Sequence, residues 1–431
     1  MVAGEPSGDL LAARVIAGLR GREADVACRG IGGPRMAGQG FDAWHPMHAL
    51  TVFGYVDALR RLPGLLAIYG DVKRRWLARP PAAFVGVDAP DFNLKLEMQL
   101  RAAGVPTVHF VGPSIWAWRY ERIHAIRQAV SHMLVLFPFE VDIYRKAGVP
   151  VTYVGHPLAG AIPMEPDRRA ARARLGLDAG ARVLAVLPGS RGSEIRLLAP
   201  RFLQAAQQLV RRDPGLQCIV PMVNAQRRAE FEAILQRYPV PGLRIIGADD
   251  APAAPAAAAG ARPGTDGTAG NETIGNGSAG TEAAGTAPDG PPPPAWLAME
   301  AADAVLVASG TATLEAALFK RPMVISYVLS PWMRRIMAWK SGQQRPYLPW
   351  VGLPNVLARD FVVPELLQDD ATPDRLAQAA WTALTDEAAA ARIQARFAGM
   401  HRELLLDTPA LAAQAILEVA HGGGRAMREA Q

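Results

Sequence analysis

Short, continuous apolar runs rich in Val, Ile and Leu recur along most of the chain, at 83–87, 107–111, 133–136, 182–187, 218–221, 304–307 and 323–327. Between them, apolar positions recur at helical spacing over 93–103, 194–212, 225–237 and 311–319. A short unbroken apolar run predicts a strand buried on both faces, and alternation of such strands with helices predicts parallel sheets covered on each side. The alternation falls into two batches, separated by a connector at 157–167 in which Pro157, Pro163 and Pro166 interrupt regular structure. The pattern therefore predicts an α/β protein of two doubly wound, Rossmann-like domains, 1–160 and 167–372, facing each other across a cleft. From 373 to 431 it is purely helical, and these helices are expected to pack back across both domains.

Two stretches break the pattern. Residues 248–294 are dominated by Ala, Gly and Pro, with Ile274 the one large aliphatic side chain. Such a segment cannot bury enough apolar area to offset its ordering entropy, so a disordered surface insert is expected. At the other end, Val2 and Ala3 are short for the buried strand that should precede the turn at 4–9. Either the true start lies upstream of Met1 or that strand is abbreviated.

Composition narrows the field. The 431 residues are half hydrophobic, enough for two or three cores at about 150 residues per domain. A net charge of +6 from 46 basic and 40 acidic residues is too thinly spread to argue for nucleic acid. Cys28 and Cys218 imply no disulfide framework and fit a reducing cytoplasm. There is no signal peptide, and no stretch approaches the roughly 18 apolar residues of a spanning helix, which predicts a chain that is soluble or peripheral to a membrane.

In open α/β sheets, ligands bind beyond the carboxyl ends of the strands. The polar residues standing there are Glu5 and Ser7; Asp88 and Asp91; Ser114 with Trp116 and Trp118; Ser190 and Arg191; Asn224; and Ser309, Thr311 and Glu315. Each could be an ordinary helix cap, but so many strand ends equipped in this way point to a site. The segment Gly189-Ser190-Arg191-Gly192-Ser193 follows a strand and opens a helix, where backbone N–H groups and the helix dipole favour an anion and Arg191 adds a bidentate charge suited to phosphate. Ser309-Gly310-Thr311 repeats that logic, with Glu315 one turn inside the helix, where a carboxylate could accept from a ribose diol. Together they suggest a nucleotide diphosphate site. Neither a P-loop nor a dinucleotide fingerprint is present, since Arg35 stands where the third glycine belongs, and no His/Cys metal cluster appears, so neither metal nor cofactor is expected. Asp88 terminates a strand of the first domain, where it could take a proton from a hydroxyl nucleophile; Asp91 is the better candidate for capping the next helix. His109 and His156 read as hydrogen-bonded structural residues.

Two segments combine apolar bulk with basic residues. One runs from 56 to 76, with Leu65, Leu66, Tyr69 and Trp76 beside Lys73, Arg74 and Arg75; the other runs from 331 to 340, with Trp332, Met333 and Trp339 beside Arg334, Arg335 and Lys340. Helices lying in an anionic membrane interface have this makeup, and so do core-facing stripes with a solvated basic edge. Composition leaves both readings open.

The motifs Ala3-Gly4-Glu5-Pro6-Ser7-Gly8-Asp9, Val87-Asp88-Ala89-Pro90-Asp91-Phe92-Asn93, Pro113-Ser114-Ile115-Trp116-Ala117-Trp118-Arg119, Leu187-Pro188-Gly189-Ser190-Arg191, Ser309-Gly310-Thr311-Ala312 and Leu353-Pro354-Asn355 together resemble the lipid-A-disaccharide synthases. The resemblance runs in order over nearly the whole chain except 248–294. It implies a GT-B-type fold and an inverting glycosyltransferase that condenses UDP-2,3-diacylglucosamine with 2,3-diacylglucosamine 1-phosphate (lipid X) through a β-1,6 link, releasing UDP. It also implies a peripheral protein on the cytoplasmic side of the inner membrane, which tips the basic, Trp-bearing segments toward lipid contact through Leu65, Leu66, Trp76, Trp332 and Trp339, and a homodimer that exchanges C-terminal elements. Position by position, Asp88 matches the carboxylate that activates the acceptor hydroxyl and Arg191 the arginine near the UDP phosphates. Glu315 and Asn355 match positions of the UDP site, and Glu5 and Ser7 lie in the N-terminal turn. Two rivals stay open: a UDP-sugar epimerase of the same architecture, which would need no lipid surface, and a non-catalytic membrane-docking protein.

Overall fold

The computed structural model describes residues 1–50, 54–117, 119–247, 292–330, 335 and 348–429, with 54–62 and 423–429 by backbone alone. The first lobe runs β1 (Val2–Ala3), α1 (Pro6–Arg22), β2 (Arg29–Gly32), α2 (Pro34–Gly38), β3 (Asp42–Pro46), α3 (Gly54–Ala78), β4 (Phe84–Val87), α4 (Pro90–Ala102), β5 (Thr107–Phe110), α5 (Ile123–Ala129), β6 (His132–Val135), α6 (Pro138–Lys146) and β7 (Val151–Tyr153). A short helix, α7 (Pro157–Ala161), occupies the proline-bearing connector. The second lobe runs α8 (Arg168–Leu175), β8 (Val183–Leu187), α9 (Gly192–Arg212), β9 (Gln217–Pro221), α10 (Ala225–Leu235), β10 (Arg244–Ile246), α11 (Pro294–Ala301), β11 (Ala304–Ala308), α12 (Thr311–Leu318), β12 (Met323–Tyr327), α13 (Leu353–Ala358) and β13 (Glu365–Leu367). Three helices close the chain: α14 (Pro373–Thr385), α15 (Glu387–Leu404) and α16 (Thr408–Glu429).

All strand pairings among the described residues are parallel. The first sheet has the order β3-β2-β1-β4-β5-β6-β7 and the second β10-β9-β8-β11-β12-β13. The central strands β4, β8 and β11 are buried at every position, as sequences without a polar alternate require. Abbreviated as it is, β1 pairs with both β2 and β4, so the two-residue strand suffices to join the halves of the first sheet. Helix α9 shows how the cover forms: Ile195, Leu198, Ala199, Phe202, Leu203, Ala206 and Leu209 make one buried stripe at helical spacing against the second sheet. The expected insert lies outside the described residues up to 291, and helix begins again at Pro294, a residue suited to the first helical position.

The closing helices cross back. Phe397, Met400 and Leu404 of α15 belong to a core of the second lobe, whereas Ala412, Ala413, Ala415 and Ile416 of α16 belong to a core of the first, with Leu11 and Ile16 of α1. Where the chain passes between lobes, His156 N–H donates to the Leu404 carbonyl at 2.9 Å, Tyr153 Oη to the Glu403 carbonyl at 2.7 Å, and His401 Nε2 to the Ala159 carbonyl at 2.7 Å. Burial pushes the His156 imidazole down to about 3, leaving it neutral, and its Nδ1 accepts from Leu158 N–H at the start of α7. It is the structural histidine that its sequence position suggested.

Candidate active site

In each sheet the strand order reverses once, between β1 and β4 in the first and between β8 and β11 in the second. Chain connections leave in opposite directions at such a point, opening a crevice beyond the strand ends where ligands bind. Glu5 and Ser7 follow β1 and Asp88 follows β4; Gly189, Ser190 and Arg191 follow β8, and Ser309, Gly310 and Thr311 follow β11. These residues, singled out by position after an apolar run, thus sit at the two switch points, whereas Ser114 and Trp116 follow β5 and Asn224 follows β9, where it caps α10 by accepting from Arg227 N–H at 2.9 Å.

In the first lobe, Asp88 leaves the sheet in the left-handed region at φ 52°, followed by Ala89 at φ 44°. Two clamps hold this turn: Asp88 N–H donates to the Phe110 carbonyl at 2.8 Å, and Asn93 Nδ2 donates to the Asp88 carbonyl at 2.7 Å. Two successive non-glycine residues with positive φ are costly and persist where surrounding contacts impose them, commonly at functional turns. Asp88 is only 7% exposed. Burial pushes its carboxyl up to about 6, with a further upward push from Glu5, against which His109 and the Ala89 N–H pull downward. A carboxyl poised near neutrality is what a general base needs. Asp91, expected as the helix cap, lies inside the first turn of α4 and pairs with Arg122 at 2.6 Å on the exposed side, because the chain enters that helix through Ala89 and Pro90.

In the second lobe, Gly189 adopts φ 114°, and a Cβ there would collide with the Glu194 carboxylate. Glu194 reaches back to accept from the N–H groups of Ser190 at 3.1 Å and Arg191 at 3.2 Å. This corrects the expectation that those amides stand free for a phosphate: a carboxylate within α9 uses them to fix the loop. What the loop presents is the Arg191 side chain at the head of a 21-residue helix. Around it lie Tyr327, at the end of β12, whose hydroxyl feels both Arg191 and Glu194, and the buried Arg227, paired with Glu230 at 2.9 Å beside Gly192. Gly310, at φ 150°, precedes α12; Thr313 Oγ1 donates to its carbonyl at 2.7 Å. Glu315 is buried one turn inside α12 and accepts from Trp296 Nε1 at 3.1 Å through one carboxylate oxygen, so a ribose diol would not meet the unengaged carboxylate that the sequence suggested.

Two other expectations change. Asn355 is fully buried and its amide is engaged on both sides: Nδ2 donates to the Val363 carbonyl and to Glu365 Oε1, both at 2.8 Å, while Oδ1 accepts from Val363 N–H at 3.0 Å. It ties α13 to β13 and offers no free group to a nucleotide. Trp76, expected at a lipid surface, is 4% exposed and packs between Trp44 and Phe84 at ring-centroid distances of 5.2 and 5.0 Å. Ile68, Tyr69, Val72 and Trp76 form the core-facing stripe of α3, whereas Leu65 is half-buried and Leu66 is 61% exposed. Trp332, Trp339 and Trp118 lie outside the described residues.

Sequence reasoning passed over the neighbours that hold these groups: Asn93, Glu97 and Glu194 inside helices, Tyr327 at a strand end, and His109, set aside as structural. The one available signal was Tyr327's position after an apolar run. A cavity of about 360 Å³ between Ala358, Asp360, Ile393 and Arg396 is lined by none of the site residues. Among the described residues no group of three or more His, Cys, Asp or Glu could hold a metal ion, and no helix is long and apolar enough to cross a membrane.

Two parallel sheets covered by helices, each with one switch point, define a GT-B architecture. Among solved structures, the UDP-GlcNAc 2-epimerase of Neisseria meningitidis bound to UDP-GlcNAc matches 96% of each chain with a TM-score of 0.53 at 10% identity. The S. aureus protein MnaA, solved with UDP, matches with a TM-score of 0.55 at 9% identity, over 96% of this chain and 93% of its own. At such identities the likeness is one of fold. Sequence carries the rest: the lipid-A-disaccharide synthetase family profile matches residues 1–258 and 294–416. Lipid-A-disaccharide synthases of Bordetella petrii and Bordetella pertussis are 74% and 71% identical over 422 residues, and that of Aromatoleum aromaticum is 48% identical over 417, covering 94% or more of every chain. The chain belongs to the lipid-A-disaccharide synthase family, glycosyltransferases of lipid A biosynthesis.

Proposed function

We propose that the protein transfers 2,3-diacylglucosamine from its UDP conjugate to the 6-hydroxyl of 2,3-diacylglucosamine 1-phosphate, giving a β-1,6-linked disaccharide 1-phosphate and UDP. The observation that carries the reading is the Asp88 carboxyl at the first lobe's switch point, buried and raised to about 6. In a single displacement, Asp88 takes the acceptor proton as the hydroxyl oxygen bonds to the anomeric carbon. The bond from that carbon to the UDP oxygen breaks with inversion, and its electron pair leaves on the diphosphate. Arg191 and the head of α9 meet that charge. Ser309, Gly310 and Thr311 flank the diphosphate, Glu315 lines the nucleoside end, and Glu5 and Ser7 border the acceptor. The acyl chains call for an apolar approach, for which the exposed Leu66 is suited, on a helix α3 that also carries the exposed Arg74, in keeping with peripheral attachment to the cytoplasmic face of the inner membrane. Homodimerisation through the closing helices belongs to the same proposal.

Mass spectrometry of products formed from the two lipid precursors tests it. The disaccharide monophosphate and UDP should appear only when donor and acceptor are both present. Conversion of the donor alone would point to epimerisation and overturn the proposal.

A further inference from the structure

A buried polar chain lies alongside Asp88 that the proposed reaction leaves unused. Asp88 follows Gly86 of β4 by two residues, just past the strand's end, with its N–H bonded to the Phe110 carbonyl of β5. His109 of β5 stands directly opposite Gly86. Helix α4 covers this pair, and its Asn93 and Glu97, one turn apart, both reach it. Glu97 Oε1 accepts from His109 Nδ1 at 2.8 Å, with both side chains wholly buried. The carboxylate fits there only because residue 86 is glycine; a Cβ at that position would collide with Glu97 Oε1 and crowd Asn93.

As a structural device this arrangement is poor. A buried ion pair is weak support for stability, and an apolar pair of similar volume usually serves as well or better. Here, moreover, Asn93 Oδ1, Glu97 Oε2 and His109 Nε2 are all buried with no hydrogen-bond partner. Such atoms carry an uncompensated desolvation cost, and the three lie under α4 next to the Asp88 turn, which Asn93 clamps.

We propose that Glu97 and His109 are positioning residues that hold Asp88 in its proton-accepting form, Glu97 keeping the imidazole protonated and the imidazolium acting on the Asp88 carboxylate. The inference rests on the reading of Asp88 as the base. Glu97 pushes the His109 imidazole upward against the downward pull of burial, with smaller upward pushes from Asp88 and the Val111 backbone. Burial pushes the Glu97 carboxyl upward as well, while His109 at 2.8 Å pulls it downward, so the two groups share one proton. His109 is the one side chain that pulls the Asp88 carboxyl downward, against burial and Glu5. The other ionisable groups on α4 face elsewhere: Asp91 pairs with Arg122 on the exposed side, Lys95 is exposed, and Arg101 donates to the Arg127 and Val130 carbonyls. Without the imidazolium, Asp88 would hold its proton further into the working range and the base would be blocked.

The test is the pH dependence of kcat/KM for the full-length enzyme and for the variants Glu97→Gln and His109→Gln, with Asp88→Asn as reference. Both near-isosteric variants should shift the acid limb upward by about 1 pH unit, lowering the rate about tenfold on that limb while leaving it within about twofold on the alkaline plateau. The midpoint of the limb does not depend on how much enzyme is folded, so partial loss of protein does not obscure the result. A uniformly lower rate with an unmoved limb, a limb moved downward, or failure of both variants to fold would each overturn the proposal, the last by marking the pair as a core fixture. If Asp88→Asn keeps the wild-type limb, it is the assignment of Asp88 as base that falls, an outcome distinct from the others.

Discussion

Asp88 carries opposed demands, and they should be visible in stability as well as in rate. Its carboxyl ionises near 3.8 when free and near 6 in the folded protein, chiefly through burial. The folded state therefore binds the proton more tightly than the unfolded chain. Stability is full below about pH 3.8, falls as pH rises toward 6, and stays reduced above that. Asp88→Asn removes the ionised group from its apolar setting, so its Tm should exceed that of the parent at pH 8, by an amount equivalent to at most about 3 kcal/mol, and the gap should close toward pH 4. Thermal melts across that range check the point; a Tm lowered equally at both ends would contradict it. The position of Asp88 was legible because an acid stands directly after an apolar run. Its tuning was not, since Glu5, Asn93 and His109 come together only when β1, β4 and β5 lie side by side. Asn355 shows the reverse: a motif match located the residue, but only its bonds to Val363 and Glu365 reveal that it braces the wall.

At the scale of elements, the strand–turn–helix unit β8–α9 shows why spacing alone misread the phosphate loop. Gly189 at φ 114° lets the chain fold tightly against Glu194, whose carboxylate then occupies the Ser190 and Arg191 amides. Gly189→Ala imposes a disfavoured backbone conformation and displaces Glu194. It should weaken UDP binding by about tenfold or more with the lobe still folded, as isothermal titration and circular dichroism would show; unchanged affinity would remove the loop from the nucleotide site. The central strands were readable because strands buried on both faces leave continuous apolar runs. Strands β3, β7 and β10 were missed for the same reason: none is buried along its length, so their sequences carry no such run. On α3, bulk beside basic residues could not separate a lipid face from a core stripe, because both are amphipathic. The stripe is decided by where Trp44 and Phe84 wait to receive Trp76.

For the whole molecule, the closing helices are what the two-batch pattern could foresee only in outline. Helix α15 serves the second lobe and α16 the first, so the chain links its lobes twice, through α7 and through the turn after Leu404. Docking of α16 depends on Gly18 in α1, where a Cβ would come within 2.8 Å of the Pro409 carbonyl oxygen. Gly18→Val should therefore destabilise the first lobe by about 1–3 kcal/mol, seen as a lower Tm with UDP affinity preserved, because the turns proposed to seat UDP belong to the other lobe. A fall in UDP affinity without loss of stability would show that the nucleotide turns depend on the docking of α16.

In the proposed reaction the first lobe's acid is the base for the acceptor and the second lobe's turns are the seat of UDP. The most direct measurement compares Asp88→Asn with the parent enzyme in two assays, disaccharide formation and UDP binding. Turnover should fall by about a hundredfold or more while the Kd for UDP stays within about twofold. Near-normal turnover, or a loss of UDP binding in step with turnover, would contradict it.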